Sequence, residues 1–385
     1  MIASDYGQLG LILLVVYFIF DLIHHSSSGY FSLYFFKKKD EKKANLIWEL
    51  ISEQIFSLTF LLLLFTVFYF FLSDSIWISG QILFTAYLII SSRSLNFLFL
   101  SYFKVNQMSR KYGIVELLEA ISVAAFTIYL FETHEGSIEN RLLAVALGSI
   151  LSLIISIIFF RNSFKHFVFS FDLKKYKEIF IFGFKLYPHV FGGLLLLASD
   201  RLFLTYYQSL TDVGIYTVAF QYASVLLILN TLSTRIFQPL AYEYFNSSDL
   251  SKFSRKYLTP YASKYLTIIL FITFFLLVSI VLFSGWIFPG EYSEGLLPSL
   301  ILSLAFMIYW IATFPVPFLV NSNKNQILSY STVIATFLNL IANQILVPNY
   351  STLGASLATL FAIFSAMLFT YFFAWKIDKN EIKTL

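Results

Sequence analysis

The 385-residue chain has no cysteine. Disulfides, thiolate metal sites and cysteine nucleophiles are therefore excluded, and redox compartment cannot be inferred. Charge is scarce as well. Only 12% of the residues are Asp, Glu, Lys or Arg, while 58% are hydrophobic, against about a quarter charged in an ordinary soluble domain. With a mean hydropathy of +0.76, this composition suits lipid rather than water. Also missing are a DxD-like carboxylate pair, an HExxH helix and a phosphate-cradling glycine loop. An enzyme such as a membrane polysaccharide polymerase or glycosyltransferase needs an acid/base or metal constellation on a sizeable loop, so the chain reads as neither an enzyme nor a metal or cofactor protein. The first apolar run, Gly7 to Ile23, lacks a basic leader and a small-residue cleavage site, so it does not read as a signal peptide.

What the chain does have is apolar runs. A spanning helix needs about 20 mostly apolar residues at about 1.5 Å each, and eleven such stretches follow one another. They are expected near 8–35, 47–72, 78–103, 112–131, 141–160, 178–206, 213–235, 258–283, 296–320, 326–346 and 353–375. The fold class is all-α, a polytopic integral membrane protein. Loops after the odd-numbered helices are basic: Lys37, Lys38, Lys39, Lys42 and Lys43; Lys104, Arg110 and Lys111; Arg161, Lys165, Lys174, Lys175 and Lys177; Arg235, Lys252, Arg255 and Lys256; Lys324. The C-terminal tail adds Lys376, Lys379 and Lys383. Opposing loops hold Asp74, Glu132, Glu135, Glu139, Asp212, Glu291 and Glu294, with Arg141 their one basic residue. By the positive-inside rule the N-terminus is outside and the C-terminus cytoplasmic. The net charge of +4 is thus topology, not a nucleic-acid surface. Phe, Ile, Lys and Asn usage resembles that of an AT-rich bacterial gene, which suggests the bacterial inner (cytoplasmic) membrane.

Ser4-Asp5-Tyr6-Gly7 opens the first helix and Thr211-Asp212-Val213-Gly214 opens the seventh. The halves read as parallel repeats. A full helix, 178–206, precedes the motif in the second half and none precedes it in the first. Two lobes of five and six helices are expected, 1–177 and 178–385, the repeat predicting one further helix at the N-terminus that this chain lacks.

A family resemblance rests on several blocks. These are Lys185-Leu186-Tyr187-Pro188, Ser199-Asp200-Arg201-Leu202-Phe203-Leu204, Val213-Gly214-Ile215-Tyr216-Thr217-Val218-Ala219 and Gln238-Pro239-Leu240-Ala241-Tyr242-Glu243. Leu338-Asn339-Leu340-Ile341-Ala342-Asn343, Val347-Pro348 and Gly354-Ala355-Ser356-Leu357-Ala358-Thr359 continue it, and Asp5-Tyr6-Gly7 is similar to the family's first outer loop. Together they resemble the O-antigen and capsule repeat-unit flippases of the multidrug/oligosaccharidyl-lipid/polysaccharide exporter superfamily. Ser351 departs from the family, which usually has glycine there. The resemblance implies two six-helix lobes around a central cavity. It also implies transport of an undecaprenyl-diphosphate-linked oligosaccharide to the outer leaflet by alternating access, during synthesis of surface polysaccharide such as the O-antigen of lipopolysaccharide. Implied partners are this lipid-linked oligosaccharide, membrane lipid, a polysaccharide polymerase and glycosyltransferases.

Ionisable groups at membrane depth cost at least a few kcal/mol and normally face a cavity or a partner. Lys185, His189, Gly192, Ser199 and Asp200 form a polar stripe on the sixth helix, weakened by Pro188 and Gly192-Gly193. It suits a water-filled passage, unless Lys185 snorkels to one interface while Asp200 and Arg201 sit at the other. Arg93 lies deep in the third helix. Its bidentate, permanently charged head suits a diphosphate, and the competing reading is an internal salt bridge with Asp21. The candidate cavity residues are therefore Arg93, Arg201, Lys185, Asp200 and His189. Asp21, His24 and His25, with Ser28, form a spaced set suited to ion coupling. Glu49 and Glu53, and likewise Glu116 and Glu119, read as interfacial partners of the basic loops. Asn339 and Asn343, at i and i+4, read as glue between helices. An antiporter of amphipathic cations from the same superfamily is the alternative function, and would use cavity carboxylates instead of arginines. A third reading is a non-functional gene remnant.

Overall fold

The computed structural model describes residues 2–35, 40–72, 79–134, 136–161, 172–234, 237, 263–322 and 324–383; within these, some side chains, including those of His25, Lys185 and His189, lie outside the described residues. The architecture is all-helical. In lipid no water is available to satisfy exposed backbone groups, so a lone segment can cross only as a helix. The main helices are α1 (Ala3–Phe35), α2 (Asp40–Leu72), α3 (Gly80–Val105), α4 (Ser109–Thr133), α5 (Ile138–Phe160), α6 (Leu173–Tyr207), α7 (Leu210–Ala223), α8 (Ser263–Leu282), α9 (Leu296–Ala312) and α10 (Asn325–Lys383). After a turn at Ser224, residues 225–234 continue the path of α7.

Eight stretches among the described residues are long and apolar enough to cross a membrane. The last, Gln326–Ile377, has two arms that meet at Ser351, and α6 and the shorter apolar stretch Leu266–Leu282 add to them; among the described residues the series is roughly compatible with the eleven helices expected. Large apolar side chains lie on the outside, Phe70 at 76% exposure and Trp286 at 87%. A water-soluble domain would bury them.

Serines cap the starts of α3, α5 and α7. Ser79 accepts a hydrogen bond from the Ile82 N–H (3.3 Å) and Ser137 from that of Asn140 (3.2 Å). At α7, Ser209 and Asp212 form a reciprocal capping box, which satisfies two otherwise orphaned N–H groups.

Two compact units are present, one of residues 12–190 and one of residues 2–11 with 191–385. The first turns of α1 thus belong to the second unit and the remainder of α1 to the first. Unit 1 has an aromatic-rich core in which Trp48, Phe99 and Tyr102 surround Phe160. Here α4 and α5 approach closely at Gly148, where a Cβ would stand 2.4 Å from Val123 Cγ2 and 2.9 Å from its backbone nitrogen. Without strong apolar driving force between helices in lipid, small residues that permit such contact hold bundles together. Unit 2 is built on Tyr216, Leu302, Phe306 and Trp310 packed against both arms of α10.

The two arms of α10 meet at Ser351, whose φ of 47° and ψ of −129° are outside the helical range. This region favours glycine. The Ser351 hydroxyl donates to Asp212 Oδ1 at 2.6 Å, a contact glycine lacks. Beyond the bend, Gly354 lies so close that a Cβ would be 2.3 Å from the Leu346 carbonyl oxygen.

Candidate substrate site

In unit 1, the sequence Ser91-Ser92-Arg93-Ser94 carries its guanidinium near the middle of α3, thirteen residues from Gly80, or about 20 Å along the axis. Arg93 Nε donates to Glu119 Oε1 of α4 (2.9 Å) and to Ser149 Oγ of α5 (3.2 Å), and its second terminal nitrogen lies 2.9 Å from the same carboxylate oxygen. The guanidinium carbon stands 5.1 Å from the centre of the Tyr17 ring. A quarter of the Arg93 side chain is nevertheless exposed. The internal ion pair expected with Asp21 forms instead with Glu119. Glu119 was expected at an interface, but it lies ten residues inside α4, about 15 Å from its start. One turn along α3, Asn96 donates to Ser152 Oγ (2.8 Å) and accepts from Ser156 (2.5 Å). The α5 serines at 149, 152 and 156 therefore share one face that reads the polar residues of α3.

Glu49 pairs with Lys175 of α6 at 2.5 Å, as the basic-loop reading expects. Glu53 does not follow it. It is buried at 8% exposure, and its Oε2 has no hydrogen-bond partner among the described residues. His24 is buried between the rings of Phe20 and Phe97 at 5.4 and 4.5 Å. Asp21 is partly buried on the same helix.

In unit 2, Asp200 is the centre of a buried network. Its Oδ2 accepts from the Tyr216 hydroxyl and from Thr359 Oγ1 (2.7 Å); its Oδ1 accepts from Asn343 Nδ2 (2.7 Å) and, more weakly, Asn339 Nδ2 (3.4 Å). Ser199 donates to Asn339 Oδ1 at 2.7 Å. Asp200 has no exposed surface, so it does not line a passage in this state, contrary to the expected stripe. Asn339 and Asn343 act as the expected glue, joining α10 to α6 through this carboxylate. A carboxylate taken out of water is tolerable only when its lone pairs are filled, and here donors from α7 and both arms of α10 fill them.

Arg201, the next residue, points elsewhere. Its Nε donates to Thr217 Oγ1 and a terminal nitrogen to the Leu197 carbonyl, both at 3.2 Å, and its guanidinium carbon lies 4.5 Å from the Phe220 ring centre. It is buried, and no carboxylate is within ion-pairing distance among the described residues. A cation over an aromatic face in a dry site gains roughly 2 kcal/mol or more. Helix α6 is continuous through Pro188 and Gly192-Gly193, the positions expected to weaken it; the Gly192 carbonyl accepts from Thr336 at 2.8 Å.

The residues quoted for the resemblance, Asp200-Arg201, Tyr216-Thr217, Asn339, Asn343 and Thr359, therefore meet in unit 2 as one network. Comparison with known proteins agrees with them: residues 37–240, more than half of the chain, match the family described as polysaccharide biosynthesis protein. The chain belongs to this family. Two Haemophilus influenzae (strain ATCC 51907 / DSM 11121 / KW20 / Rd) proteins are related. One is the Lsg locus putative protein 1, 24% identical over 249 residues, 61% of this chain and 59% of that protein. The other is an uncharacterized membrane protein, 24% identical over 267 residues, 63% of this chain and 62% of that protein. The match thus spans about three fifths of the curated relatives' length. Among solved structures, the lipid II flippase MurJ in its inward closed conformation superposes with a TM-score of 0.70 at 17% identity, over 98% of this chain and 85% of that one. An inward-facing multidrug resistance MATE family transporter of the MOP superfamily gives 0.71 at 10% identity, over 99% and 93%. At these identities the polysaccharide biosynthesis family member shares their fold.

Proposed function

We propose that this family member is a flippase that moves undecaprenyl-diphosphate-linked oligosaccharide repeat units to the outer leaflet of the bacterial inner membrane by alternating access, in surface polysaccharide synthesis. The observation that carries the reading is Arg93. It is a permanently charged, bidentate donor at mid-span that has one carboxylate partner and keeps a quarter of its side chain exposed. Diphosphate oxygens are suited to this fork. The family, and a fold shared with a protein titled lipid II flippase, support transport rather than chemistry on the sugar.

Arg201 of unit 2, once freed from Thr217 and Phe220, is a further proposed substrate contact, as are Lys185, His189 and Asp200; Asp21, His24 and His25 form the proposed coupling set. The N-terminus lies outside and the C-terminus in the cytoplasm. A polymerase and glycosyltransferases handle the units after and before this step. The reading as an antiporter of amphipathic cations would use cavity carboxylates in place of Arg93; Glu119 and Asp200 are engaged.

Reconstitution tests the proposal. Proteoliposomes with fluorescent undecaprenyl-diphosphate-linked oligosaccharide should show protein-dependent appearance of the probe in the opposite leaflet, lost in Arg93→Ala. Export of a cationic dye with no movement of the lipid-linked probe would contradict it.

A further inference from the structure

Glu53 stands apart from the other carboxylates engaged in the two units. Glu119 holds Arg93, Glu49 holds Lys175, and Asp200 accepts from Tyr216, Thr359 and both α10 asparagines. Glu53 sits on α2 within an apolar spanning stretch, Leu46–Phe71. It is more than nine-tenths buried, with a carboxyl oxygen that meets no donor among the described residues. Its neighbour Gln54 accepts from Ser27 at 3.2 Å through Oε1, while among the described residues its amide nitrogen has no partner and the buried Ser94 hydroxyl on α3 has none either. Each such vacancy in a membrane interior costs free energy and calls for an explanation.

Among the described residues, the titratable groups recorded with Glu53 around Tyr30 are acidic or neutral. Tyr30 of α1 feels Glu53 together with Glu49, Tyr34 and Glu178 of α6. The described cations of the unit's interior are committed, Lys175 to Glu49 and Arg93 to Glu119. Lys185 and His189, farther along α6, have side chains outside the described residues. An unpaired carboxylate in such a place is strongly disfavoured, and the group takes a proton instead. A bound metal cation would need several oxygen ligands at once, and no cluster of three His, Asp or Glu side chains occurs among the described residues. Access is short on one side. Glu53 lies one helical turn, about 6 Å, from Glu49, whose partner Lys175 lies in the basic first turn of α6.

We propose that Glu53 is a proton-binding site, loaded from the Glu49–Lys175 end of unit 1 and discharged once per transport cycle. Proton binding itself does not depend on the flippase reading; the link to the cycle does.

The test uses the full-length chain purified in nanodiscs, with dicyclohexylcarbodiimide as probe, a reagent that adds to protonated carboxyls in apolar surroundings. Peptide mass spectrometry should find the adduct on Glu53 near neutral pH, falling to background as pH is raised and absent from Glu53→Gln. Infrared difference spectra cover the case in which the reagent cannot enter. The carbonyl stretch of a protonated carboxyl, shifted in deuterium oxide, should be present in the wild type and missing in Glu53→Gln. Should Gln not fold, Glu53→Asp should move the band rather than abolish it. No protonated-carboxyl band assignable to position 53 at any pH, or labelling suppressed by sodium but indifferent to pH, overturns the proposal. Labelling that titrates in a protein unable to move lipid-linked oligosaccharide leaves the proton site standing and removes the transport reading.

Discussion

Gly7 of α1 and Gly214 of α7 cross back to back in unit 2. A Cβ on Gly7 would lie 2.0 Å from the Leu210 carbonyl oxygen, and one on Gly214 would lie 1.9 Å from that of Ala3. The contact is reciprocal, each glycine facing the carbonyl four residues before the other. Tyr6 donating to Gln221 (2.7 Å) and the Ala3 N–H donating to Glu291 (3.3 Å) fasten the same turns. The repeated Asp-x-Gly motif is therefore also a contact between its two copies.

Either glycine replaced by Ala should force the helices apart. The expected cost is roughly 1–3 kcal/mol, as for overpacking, read as a lower melting temperature in detergent. Because one separation relieves both clashes, the double variant should cost less than the sum of the singles. Strict additivity in that cycle would contradict the reciprocal crossing.

Ser351 combines a costly backbone conformation with a compensating hydroxyl. Ser351→Ala keeps the strain and loses the 2.6 Å bond to Asp212, so it should destabilise by about 1 kcal/mol. Ser351→Gly removes the strain, and should melt at least as high as wild type and above the alanine variant. The reverse order would show that φ at 351 is not positive.

Asp200 is expected to matter for folding. Asp200→Ala leaves the donors on Tyr216, Thr359 and Asn343 unpaired in the interior, at about 1–3 kcal/mol each, and the yield of monodisperse protein should collapse. Asp200→Asn sets one amide N–H against others and should be intermediate. Wild-type melting for the alanine variant would show that the network is not what holds α6, α7 and α10 together.

Topology offers a fourth check. Reporter fusions should place the loops at 37–46 and 161–177 in the cytoplasm and those at 132–140 and 286–294 outside. One inverted loop breaks the orientation.

Helix number, order and class were legible because a spanning helix must be apolar over its whole length, and eleven such runs leave little choice. Arg93 was legible as a cation at membrane depth from its position alone. Its partner was not. Pairing between helices depends on how α3, α4 and α5 pack, which spacing along one chain does not encode, so Asp21 was the candidate partner while Glu119 read as interfacial. Glu53 was misjudged for a different reason: it lies seven residues into the span Leu46–Phe71, near enough to the basic loop to read as interfacial, and its burial comes from packing against other helices. Asp200 read as a cavity residue because an acid at depth suggests water. The donors that fill it come from residues 16 to 159 positions away.

The most direct test of Arg93 as the diphosphate contact is a charge swap with its partner, scored by surface polysaccharide in a flippase-deficient host. Arg93→Glu with Glu119→Arg restores an ion pair between α3 and α4 but displaces the cation from its position. The account predicts folded, membrane-inserted double variant at wild-type level with no surface polysaccharide, and partial activity for Arg93→Lys, whose ammonium lacks the bidentate fork. Wild-type polysaccharide in the swapped protein would mean that the pair only holds helices together, and would contradict the account.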